Sequence, residues 1–477
     1  MDLVARPQLF IGGEWVSPAK DEAVDVVEAS TGLVMGRCAQ ASTADVDRAV
    51  VAARGALTGP WSQLSPAERA ERIAAFAAAL KARGRETASL VSRENGMPIN
   101  LSNVVNGIGP AAIAAYYARL AADEVVQDER PSPTGGRTLV ERRPVGVVAA
   151  ITPWNYPQPL ALMKVAPALA AGCTVVLKPP PETSLDAFAI AEAAEAAQLP
   201  PGVVNVIPGG REAGAHLVEH PGVDKVAFTG STGAGRVIGS VAGRLLRPAT
   251  LELGGKSVSL LLDDAELSLV GRTLLDVSLP NNGQTCHAAT RILAPSSRYD
   301  EVVDLVTDIV ASLKVGDPLD PDTQVGPLVS QAQQQRVLGY VEQGRTSGAR
   351  LTTGGGAVDS NGWYVEPTVF ADVDNSSVIA QEEIFGPVLC VIPYRDVEDA
   401  LAIANDSQYG LGGVVWSADQ ERAVQVARRI ETGTVGVNHY ELHLNAPFGG
   451  VKSSGLGREL GPEGLAPYQV TQSLYLR

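Results

Sequence analysis

The chain has 477 residues, 45% of them hydrophobic, and a net charge of −15 at pH 7. This length exceeds what one hydrophobic core usually supports, so we expect two or more domains. The excess of 53 acidic over 38 basic residues argues against a nucleic-acid partner. The four cysteines show neither metal-ligand spacing nor the density of a secreted disulfide scaffold, so no metal is expected.

Two stretches bear on where the protein works. The segment from Met1 to Pro7 has no apolar core of signal-peptide length. The most apolar stretch, Leu160 to Leu177, is interrupted by Lys164, Pro167 and Gly172, so we expect no membrane span. With thiols kept reduced, a cytoplasmic location is the expectation.

Regular alternation of strands and helices begins at Pro144, after an earlier helix whose capping box is Ser65-Pro66-Ala67-Glu68. Such alternation predicts an α/β fold with a doubly wound parallel sheet, which binds ligands where its strands end. Pro153–Tyr156, Lys178 and Gly230–Ser231 should therefore lie near one crevice. The predicted strands are 145–152, 174–177, 203–207 and 225–229, and the predicted helices are 160–171, one ending at Ala197, one before Lys225 and one after Ala234.

Two further regions follow from the pattern. A second α/β stretch runs from Gly255 to about Tyr440, with an amphipathic helix at 299–313 and strands at 388–393 and 413–416. The polar segment 123–143 and the extended segment 469–476 differ from both. They predict a small protruding sheet whose edges a second subunit would cover.

Cys286 and Glu252 are the residues best suited to covalent chemistry. A thiolate is the nucleophile when a cysteine reacts, and a nearby carboxylate can activate the water that releases the product. Each residue lies in a glycine-containing segment, Asn281–Cys286 or Leu251–Lys256, where backbone can approach a ligand closely. If the two share a site, the chain makes and then hydrolyses a thioester.

The segment Phe228–Gly235 joins a predicted strand to a predicted helix and contains Gly230, Gly233 and Gly235. Its spacing differs from the dinucleotide fingerprint G-x-G-x-x-G. Free amides at a helix start still favour a phosphate. Many such turns use glycine only to change direction, so both interpretations stay open on these residues alone.

Seven segments occur in an order that resembles the aldehyde dehydrogenase superfamily, in its NAD(P)-dependent, non-acylating branch. The resemblance runs from about Phe10 to the C-terminus. The segments are Thr152–Pro157, Leu177–Pro179, Phe228–Gly235, Leu251–Lys256, Gly283–Cys286, Glu382–Pro387 and Pro447–Gly450.

The resemblance implies a role for each matched residue. Cys286 would attack the aldehyde, the Asn155 amide and the Cys286 N–H would hold the oxyanion, and Glu252 would activate water. Glu383 would hold the nicotinamide ribose, with Phe385 packed near the cofactor. Ser231 and Trp154 would contact the pyrophosphate, Lys178 the adenine ribose, and Ile151 would offer backbone groups. The other implied NAD-binding residues are Thr152, Pro153, Gly210, Phe228, Gly230, Gly235 and Leu253.

Each assignment has a simpler alternative. Asn155 could cap a helix, and Glu383 could be a surface acid, as we expect Glu382 to be. His287 follows the nucleophile, but adjacent side chains usually diverge, so a pocket wall is favoured over a Cys–His pair. Cys38, Cys173 and Cys390 are expected to be small buried side chains.

One position departs from the family pattern. Many NAD-using members carry a glutamate three positions after the lysine that ends the strand, and here that position is Pro181, with Glu182 one residue later. Losing the carboxylate removes repulsion against a 2′-phosphate and leaves NADP open. No arginine stands beside Lys178 to replace the contact, so NAD is expected first.

The resemblance also implies a substrate tunnel and a domain division. The tunnel has no arginine clamp for a carboxylate, so a neutral aliphatic or aromatic aldehyde is expected. A coenzyme A-acylating enzyme and a non-catalytic nucleotide-binding or structural protein are the alternatives. The tunnel residues would be Tyr156, Leu160, Met163, Thr285, His287, Tyr440 and Leu442. The dinucleotide-binding domain would be 1–122 with 144–254, the catalytic domain 255–455, and the oligomerisation arm 123–143 with 462–477, in a homodimer or homotetramer.

Overall fold

A computed structural model describes residues 3–124, 126–133 and 135–477. Parts of two predictions lie outside the described residues: Met1 and Asp2 of the N-terminal segment, and Val125 and Thr134 of the predicted arm.

The described residues form strands and helices in near-regular alternation. The strands are β1 (Val4–Arg6), β2 (Leu9–Ile11), β3 (Glu14–Val16), β4 (Ala23–Val27), β5 (Val34–Ala39), β6 (Gln127–Pro131), β7 (Arg137–Pro144), β8 (Val147–Ile151), β9 (Thr174–Lys178), β10 (Val204–Val206), β11 (Lys225–Thr229), β12 (Ala249–Glu252), β13 (Val258–Leu261), β14 (Arg291–Pro295), β15 (Arg350–Thr353), β16 (Thr368–Ala371), β17 (Val388–Tyr394), β18 (Gly413–Trp416), β19 (Gly436–Val437), β20 (Gly455–Leu456) and β21 (Gln469–Leu476).

The α-helices are α1 (Thr43–Ala56), α2 (Pro66–Asn95), α3 (Ile99–Ser102), α4 (Gly109–Ala122), α5 (Pro157–Ala170), α6 (Phe188–Ala196), α7 (Arg211–Glu219), α8 (Thr232–Arg244), α9 (Leu267–Ser278), α10 (Tyr299–Ser312), α11 (Gln331–Thr346), α12 (Val378–Gln381), α13 (Val397–Asn405), α14 (Gln420–Ala427) and α15 (Gly461–Leu465). A π-helix, Asn103–Ile108, lies between α3 and α4.

The first large sheet has eight strands in the order β20-β12-β11-β8-β9-β10-β2-β3. Its five central strands, from β12 to β10, are parallel, and the strands at both edges are antiparallel. Because the chain leaves β8 for β9 on one side and later returns to β11 on the other, the strand order reverses at β8. The carboxyl ends of β8 and β11 therefore border the crevice where such sheets bind ligands.

The second large sheet has seven strands in the order β15-β16-β17-β14-β13-β18-β19, and only the β15–β16 pair is antiparallel. Its strands β13, β14, β16 and β18 are buried throughout, as parallel strands covered on both faces must be. The predicted α/β class with parallel sheets is confirmed.

Two small sheets complete the fold. Strands β6, β7 and β21 form the predicted arm, in which β7 is central and all eight residues of β21 pair with it. Strands β1, β5 and β4 form a sheet that the sequence pattern did not predict. The domain boundaries drawn from the sequence stay a prediction.

Predicted and observed elements agree closely where the pattern is local. Ser65 caps α2 with the predicted reciprocal capping box, a contact that stabilises a helix by about 1 kcal/mol. Strand β11 has the predicted bounds, and α5 begins at Pro157, three residues before the predicted start at Leu160. Within the described ranges, no helix is long and apolar enough to cross a membrane.

Candidate active site

The segment before Cys286 has an unusual backbone. Asn281, Asn282 and Gly283 have φ of 49°, 61° and 77°, three successive residues in the left-handed region. That region is costly for residues other than glycine and persists only when neighbours hold it. The Asn281 amide donates to the Asn155 carbonyl at 2.9 Å, and the Asn282 amide donates to the Gly96 carbonyl at 2.9 Å. These bonds fix the segment that presents the thiol.

Glycines allow two close backbone approaches around this segment. A Cβ on Gly283 would lie 2.1 Å from the Gly386 carbonyl oxygen, and one on Gly255 would lie 2.2 Å from the Cys286 carbonyl oxygen. Neither contact leaves room for a side chain. The glycines in both motifs therefore bring the backbones around Cys286 together.

The Cys286 thiol lies among acidic groups. Burial raises its pKa, and the nearby carboxylates of Glu383 and Glu252 raise it further. The backbone N–H groups of His287 and Cys286 act in the opposite direction. These effects favour the neutral thiol over the thiolate, and the sulfur lies within electrostatic range of both carboxylates.

Glu252 ends β12, where it pairs with Gly455 of β20. Its side chain is 2% exposed, and neither carboxylate oxygen has a hydrogen-bond partner among the described residues. Burial raises the pKa well above its usual value, Glu459 adds to this, and Lys164 and Arg458 oppose it. A carboxylate so placed has a strong tendency to take up a proton.

Lys164 and Glu459 form a buried ion pair that the sequence analysis missed. The Lys164 ammonium lies 2.7 Å from Glu459 Oε1 and donates to Thr229 Oγ1 at 2.6 Å. Both side chains are at most 2% exposed. A single lysine inside an otherwise apolar helix was the available signal, but its partner lies 295 positions away.

Asn155 lies between β8 and α5 with its side chain buried. Its Nδ2 donates to the Gln284 carbonyl at 3.1 Å, while Oδ1 has no partner among the described residues. The N-cap of α5 is Tyr156, so Asn155 does not cap the helix. Asn155 and Cys286 line the same cavity.

That cavity has a volume of about 760 Å³ and mostly apolar walls. Six of the seven predicted tunnel residues line it: Tyr156, Leu160, Met163, His287, Tyr440 and Leu442. The seventh, Thr285, lies behind Tyr156, with its hydroxyl 2.8 Å from the Tyr156 hydroxyl and donating to the Pro280 carbonyl. The tunnel roles stay a prediction.

His287 is part of an aromatic group. Its ring stacks on Tyr440, with centroids 5.1 Å apart and planes at 25°, and Phe448 meets it edge-on at 6.0 Å. Burial lowers the pKa of His287 to about 4, so the ring is neutral at physiological pH. Its side chain makes no hydrogen bond to Cys286 in the described structure, which favours the pocket wall over a Cys–His pair.

The cavity walls carry one sign of charge. Asp276, Asp322 and Glu441 line it, and no lysine or arginine does so within the described residues. Val104 and Val105 of the π-helix also line it. The sequence analysis did not predict this helix. It packs closely against α2 at Gly107: a Cβ on Gly84 of α2 would lie 2.3 Å from the Gly107 carbonyl oxygen.

Trp154, Phe385 and Glu383 do not line this cavity, although Glu383 lies within electrostatic range of Cys286. The rings of Trp154 and Phe385 meet edge-to-face at 5.3 Å, and Phe385 has a φ of 63°. Glu383 Oε1 accepts from the Gly255 N–H at 3.0 Å, and burial raises the pKa of Glu383 to about 7. Glu382 is exposed, as expected.

The remaining matched residues meet where the parallel strands end. Ile151 of β8 pairs in register with Lys178 of β9, and Thr152 and Pro153 follow β8 directly. The Lys178 ammonium donates to the Gly209 carbonyl at 2.6 Å, beside Gly210, the N-cap of α7. The predicted crevice thus has the expected backbone elements.

Ser231 caps α8 by accepting from the Ala234 N–H. A Cβ on Gly230 would clash with the Phe228 ring at 2.5 Å, and one on Gly235 would clash with Leu253 at 2.4 Å. Beside Gly233 the space is open. First-turn N–H groups have no partner within a helix, so this turn offers donors to an anion.

The other three cysteines do not line the cavity beside Cys286. Cys38, Cys173 and Cys390 are buried, as predicted. Across the described ranges, no group of histidine, cysteine and acidic side chains is arranged to hold a metal ion.

Comparison with known proteins agrees with this arrangement. The model of the aldehyde dehydrogenase family matches residues 15–474. Geranial dehydrogenase of Castellaniella defragrans is 54% identical over 99% of both chains. An aldehyde dehydrogenase of Mycobacterium tuberculosis, solved with NAD+, is 46% identical, with a TM-score of 0.97 over 100% of this chain and 99% of the other.

A variant of aldehyde dehydrogenase C from Pseudomonas syringae, solved with NAD+ and octanal, is 40% identical, with a TM-score of 0.95 over 98% of this chain and 96% of the other. The parallel α/β fold and the apolar cavity lined by Cys286, together with these relatives, identify the class as an oxidoreductase that acts on aldehydes. The chain belongs to the aldehyde dehydrogenase family.

Proposed function

We propose that this protein oxidises a neutral, apolar aldehyde to the carboxylic acid with NAD+, through a covalent intermediate on Cys286. The observation that carries the proposal is the common location of three groups. Cys286 and Asn155 line one apolar cavity, and Glu252, with two unpartnered buried oxygens, lies within electrostatic range of the thiol.

The residues on the other side of Cys286 fit a dinucleotide. The open first turn of α8, capped by Ser231, offers N–H donors to a pyrophosphate, which Trp154 would also contact. Among the described residues, Gly255 donates to Oε1 of Glu383 and no side chain or backbone group donates to Oε2, so Glu383 would hold a ribose, as would Lys178 at the adenine end. When bound there, NAD+ accepts the hydride. Ile151, Thr152, Pro153, Gly210, Phe228, Gly230, Gly235, Leu253 and Phe385 complete the proposed cofactor site.

Two solved relatives were determined with NAD+, and no described arginine bonds to Lys178 or Pro181. We therefore keep NAD+ as the preferred cofactor, with weakened discrimination against NADP+. Catalytic efficiency measured with both cofactors decides this, and a strong NADP+ preference would overturn it.

In the first step the Cys286 thiol would give its proton to solvent water, and the sulfur would attack the carbonyl carbon to form the carbon–sulfur bond of a thiohemiacetal. The Asn155 amide and the Cys286 backbone N–H would donate to the new oxyanion. One such donor commonly stabilises the transition state by about 3 kcal/mol. The Asn155 Nδ2 donates to the Gln284 carbonyl at 3.1 Å, next to the segment that carries Cys286, which keeps this amide near the sulfur.

After hydride loss the same carbon is a thioester carbonyl, and Glu252 would take a proton from the water that attacks it. The collapse expels the Cys286 sulfur and yields the acid. The buried Lys164–Glu459 pair faces Glu252, and the Lys164 charge opposes the raised pKa of that carboxyl. Lys164 therefore offsets part of the effect of Glu459, which raises the pKa of Glu252 more strongly than Lys164 lowers it.

The cavity supports an apolar, uncharged substrate. The charged residues that line it within the described ranges, Asp276, Asp322 and Glu441, are all acidic, which disfavours a substrate carboxylate, and its apolar walls suit an aliphatic or aromatic chain. One relative is named for geranial and another was solved with octanal. We expect octanal and benzaldehyde to be oxidised more efficiently than succinic semialdehyde, and a preference for the semialdehyde would contradict this.

Two variants test the chemistry. Cys286→Ala should abolish NADH formation while NAD+ binding persists, and retained turnover would refute a covalent mechanism.

Glu252→Gln should keep a pre-steady-state burst of NADH but slow turnover by about 10²-fold or more. Equal loss of burst and turnover would show that Glu252 does not act in hydrolysis.

An acylating relative would transfer the thioester to coenzyme A. The buried, unpartnered Glu252 favours water instead, so coenzyme A should not accelerate NADH formation. Acceleration by coenzyme A would favour the acylating alternative.

We further propose the domain division described above and a homodimer or homotetramer. The arm exposes unpaired edges on β6 and β21, with Tyr475 83% exposed and Val470 46% exposed. All four cysteines are free, which suits a reducing, cytoplasmic compartment. Sedimentation of the purified chain measures the assembly, and a monomer would refute it.

A further inference from the structure

Lys256 is a buried lysine to which the chemistry above assigns no function. It is 3% exposed, and its ammonium makes no hydrogen bond or ion pair among the described residues. Burying an unpaired charge is costly. Other buried lysines are paired: Lys164 with Glu459, Lys178 with two carbonyls, and Lys225 with Thr250. The unpaired ammonium therefore needs an explanation.

Lys256 and Glu383 line one small cavity of about 10 Å³. That volume is about the smallest that holds a single water. The carboxylate of Glu383 lies against the backbone of Gly254 and Gly255, where Gly255 donates to Oε1 at 3.0 Å and a Cβ on Gly254 would lie 2.9 Å from Oε2. The Glu383 carboxylate therefore contacts the two residues that directly precede Lys256 in the chain.

We propose that Lys256 is a positioning residue, whose ammonium acts through a water in this cavity to keep Glu383 ionised and aimed at a ribose of the cofactor. This inference rests on the proposed role of Glu383. An ionised carboxylate accepts charge-assisted hydrogen bonds from both ribose hydroxyls, and a protonated one loses that strength.

The charged groups around the pair agree with this role. Lys256 and Arg336 both lower the pKa of Glu383, which burial raises to about 7. Burial lowers the pKa of Lys256 to about 8, which Glu383 opposes. Arg336 has the larger effect of the two, but it donates to the backbone carbonyl of Glu383 at 2.8 Å, and of these two cations only Lys256 lines the small cavity with Glu383. The remaining titratable neighbours are Cys286 and Tyr409 around Glu383, and Arg291, Cys390 and Glu382 around Lys256.

The direct test is the dissociation constant of NAD+, measured by calorimetry between pH 6 and 9 without any aldehyde. Lys256→Met removes the cation, so Glu383 should titrate at higher pH by about one unit, the lower end of typical ion-pair effects. Near neutral pH the affinity should fall by up to about 10-fold, and the loss should shrink as pH rises. Lys256→Arg should restore most of the affinity.

Lys225→Met is the matched control. Lys225 is also buried, with its pKa lowered to about 8, but it lies over the Tyr468 ring at 4.9 Å and not beside Glu383. This variant loses the same charge from a buried site and should leave the pH profile of NAD+ affinity unchanged. A similar shift in both variants would mean a general loss of structure and would overturn the proposal.

Glu383→Gln separates the possible failures. In that background, Lys256→Met should cause no further loss of affinity. Lys256→Gln repeats the charge deletion if the methionine variant fails to fold. If Glu383→Gln weakens binding but neither Lys256 variant does, the positioning role is wrong. If Glu383→Gln itself binds NAD+ normally, the proposed cofactor role of Glu383 fails first.

Discussion

The two sides of Cys286 are built from different parts of the chain. On the substrate side, helices α4, α5 and α9 and the π-helix present apolar side chains around a cavity of about 760 Å³. On the cofactor side, the proposed site is formed mainly by backbone. Its features are glycines without room for a Cβ, the left-handed backbone of Phe385 and the first turn of α8. Side chains can vary one at a time, whereas a changed backbone moves everything attached to it.

This difference separates two properties of the enzyme. Substitutions on the substrate side should change which aldehyde is accepted, and those on the cofactor side should change whether the reaction occurs at all.

The largest effect is expected at Gly283→Ala. The new Cβ would lie 2.1 Å from the Gly386 carbonyl oxygen at a φ of 77°, so Cys286 must move or the segment must unfold. Displacement of a nucleophile by about 1 Å can cost roughly 10²-fold in rate, and we expect at least that loss in kcat. Gly339→Ala, inside α11 with open space around it, should keep full activity. Equal kcat for the two variants would contradict the view that close backbone packing at Gly283 positions Cys286.

Asn155→Ala is expected to be nearly as severe because it removes the proposed oxyanion donor. We expect kcat to fall by about 10²- to 10³-fold, with the NAD+ dissociation constant unchanged. Steady-state kinetics together with calorimetry measure both quantities. A fall in NAD+ affinity that accounts for the whole loss would move Asn155 to the cofactor side.

Leu160→Trp should change selectivity rather than chemistry. Leu160 lines the cavity from α5, and a larger ring there shortens the space for an alkyl chain. The ratio of kcat/KM for decanal to that for propanal should fall by about 10-fold or more, with propanal serving as the internal control. An equal fall in kcat/KM for both aldehydes would mean that Leu160 affects the reaction itself and not the choice of substrate.

The smallest effect is expected in the pH profile of His287→Asn. Burial lowers the pKa of His287 to about 4, so its proton is already lost below pH 6 and no titration remains to remove. The shape of kcat/KM against pH between 6 and 9 should match that of the unmodified enzyme, even if KM for bulky aldehydes changes. If the variant lost a titration near pH 6 to 7 from its kcat/KM profile, that result would favour a Cys286–His287 pair.

The sequence predicted what local patterns control. Alternating apolar runs located β8, β9 and β11 to within two residues at each end, and the capping box at Ser65 located the start of α2. The matched motifs also identified most of the residues that surround Cys286, although their roles await the experiments above.

Long-range pairing was beyond local patterns. Strand β2 joins the first sheet by pairing with β10, nearly 200 positions later, and no property of Leu9–Ile11 encodes that partner. The same holds for Lys164 and Glu459, each of which is ordinary until the other lies beside it. In the sequence, Lys256 is only the last residue of a matched motif, because the burial of its ammonium without a hydrogen-bond partner among the described residues can be seen only in the structure.

The pairing of Glu252 with Gly455 has a consequence for biosynthesis. Strand β12 stays open at its outer edge until β20 has been translated, and the Leu253 N–H then bonds to the Ser454 carbonyl at 2.9 Å. Domains form during synthesis from the N-terminus onwards, so Cys286 emerges from the ribosome long before the strand that completes the surroundings of Glu252. The proposed hydrolytic residue would therefore reach its final surroundings only after the last part of the chain has folded.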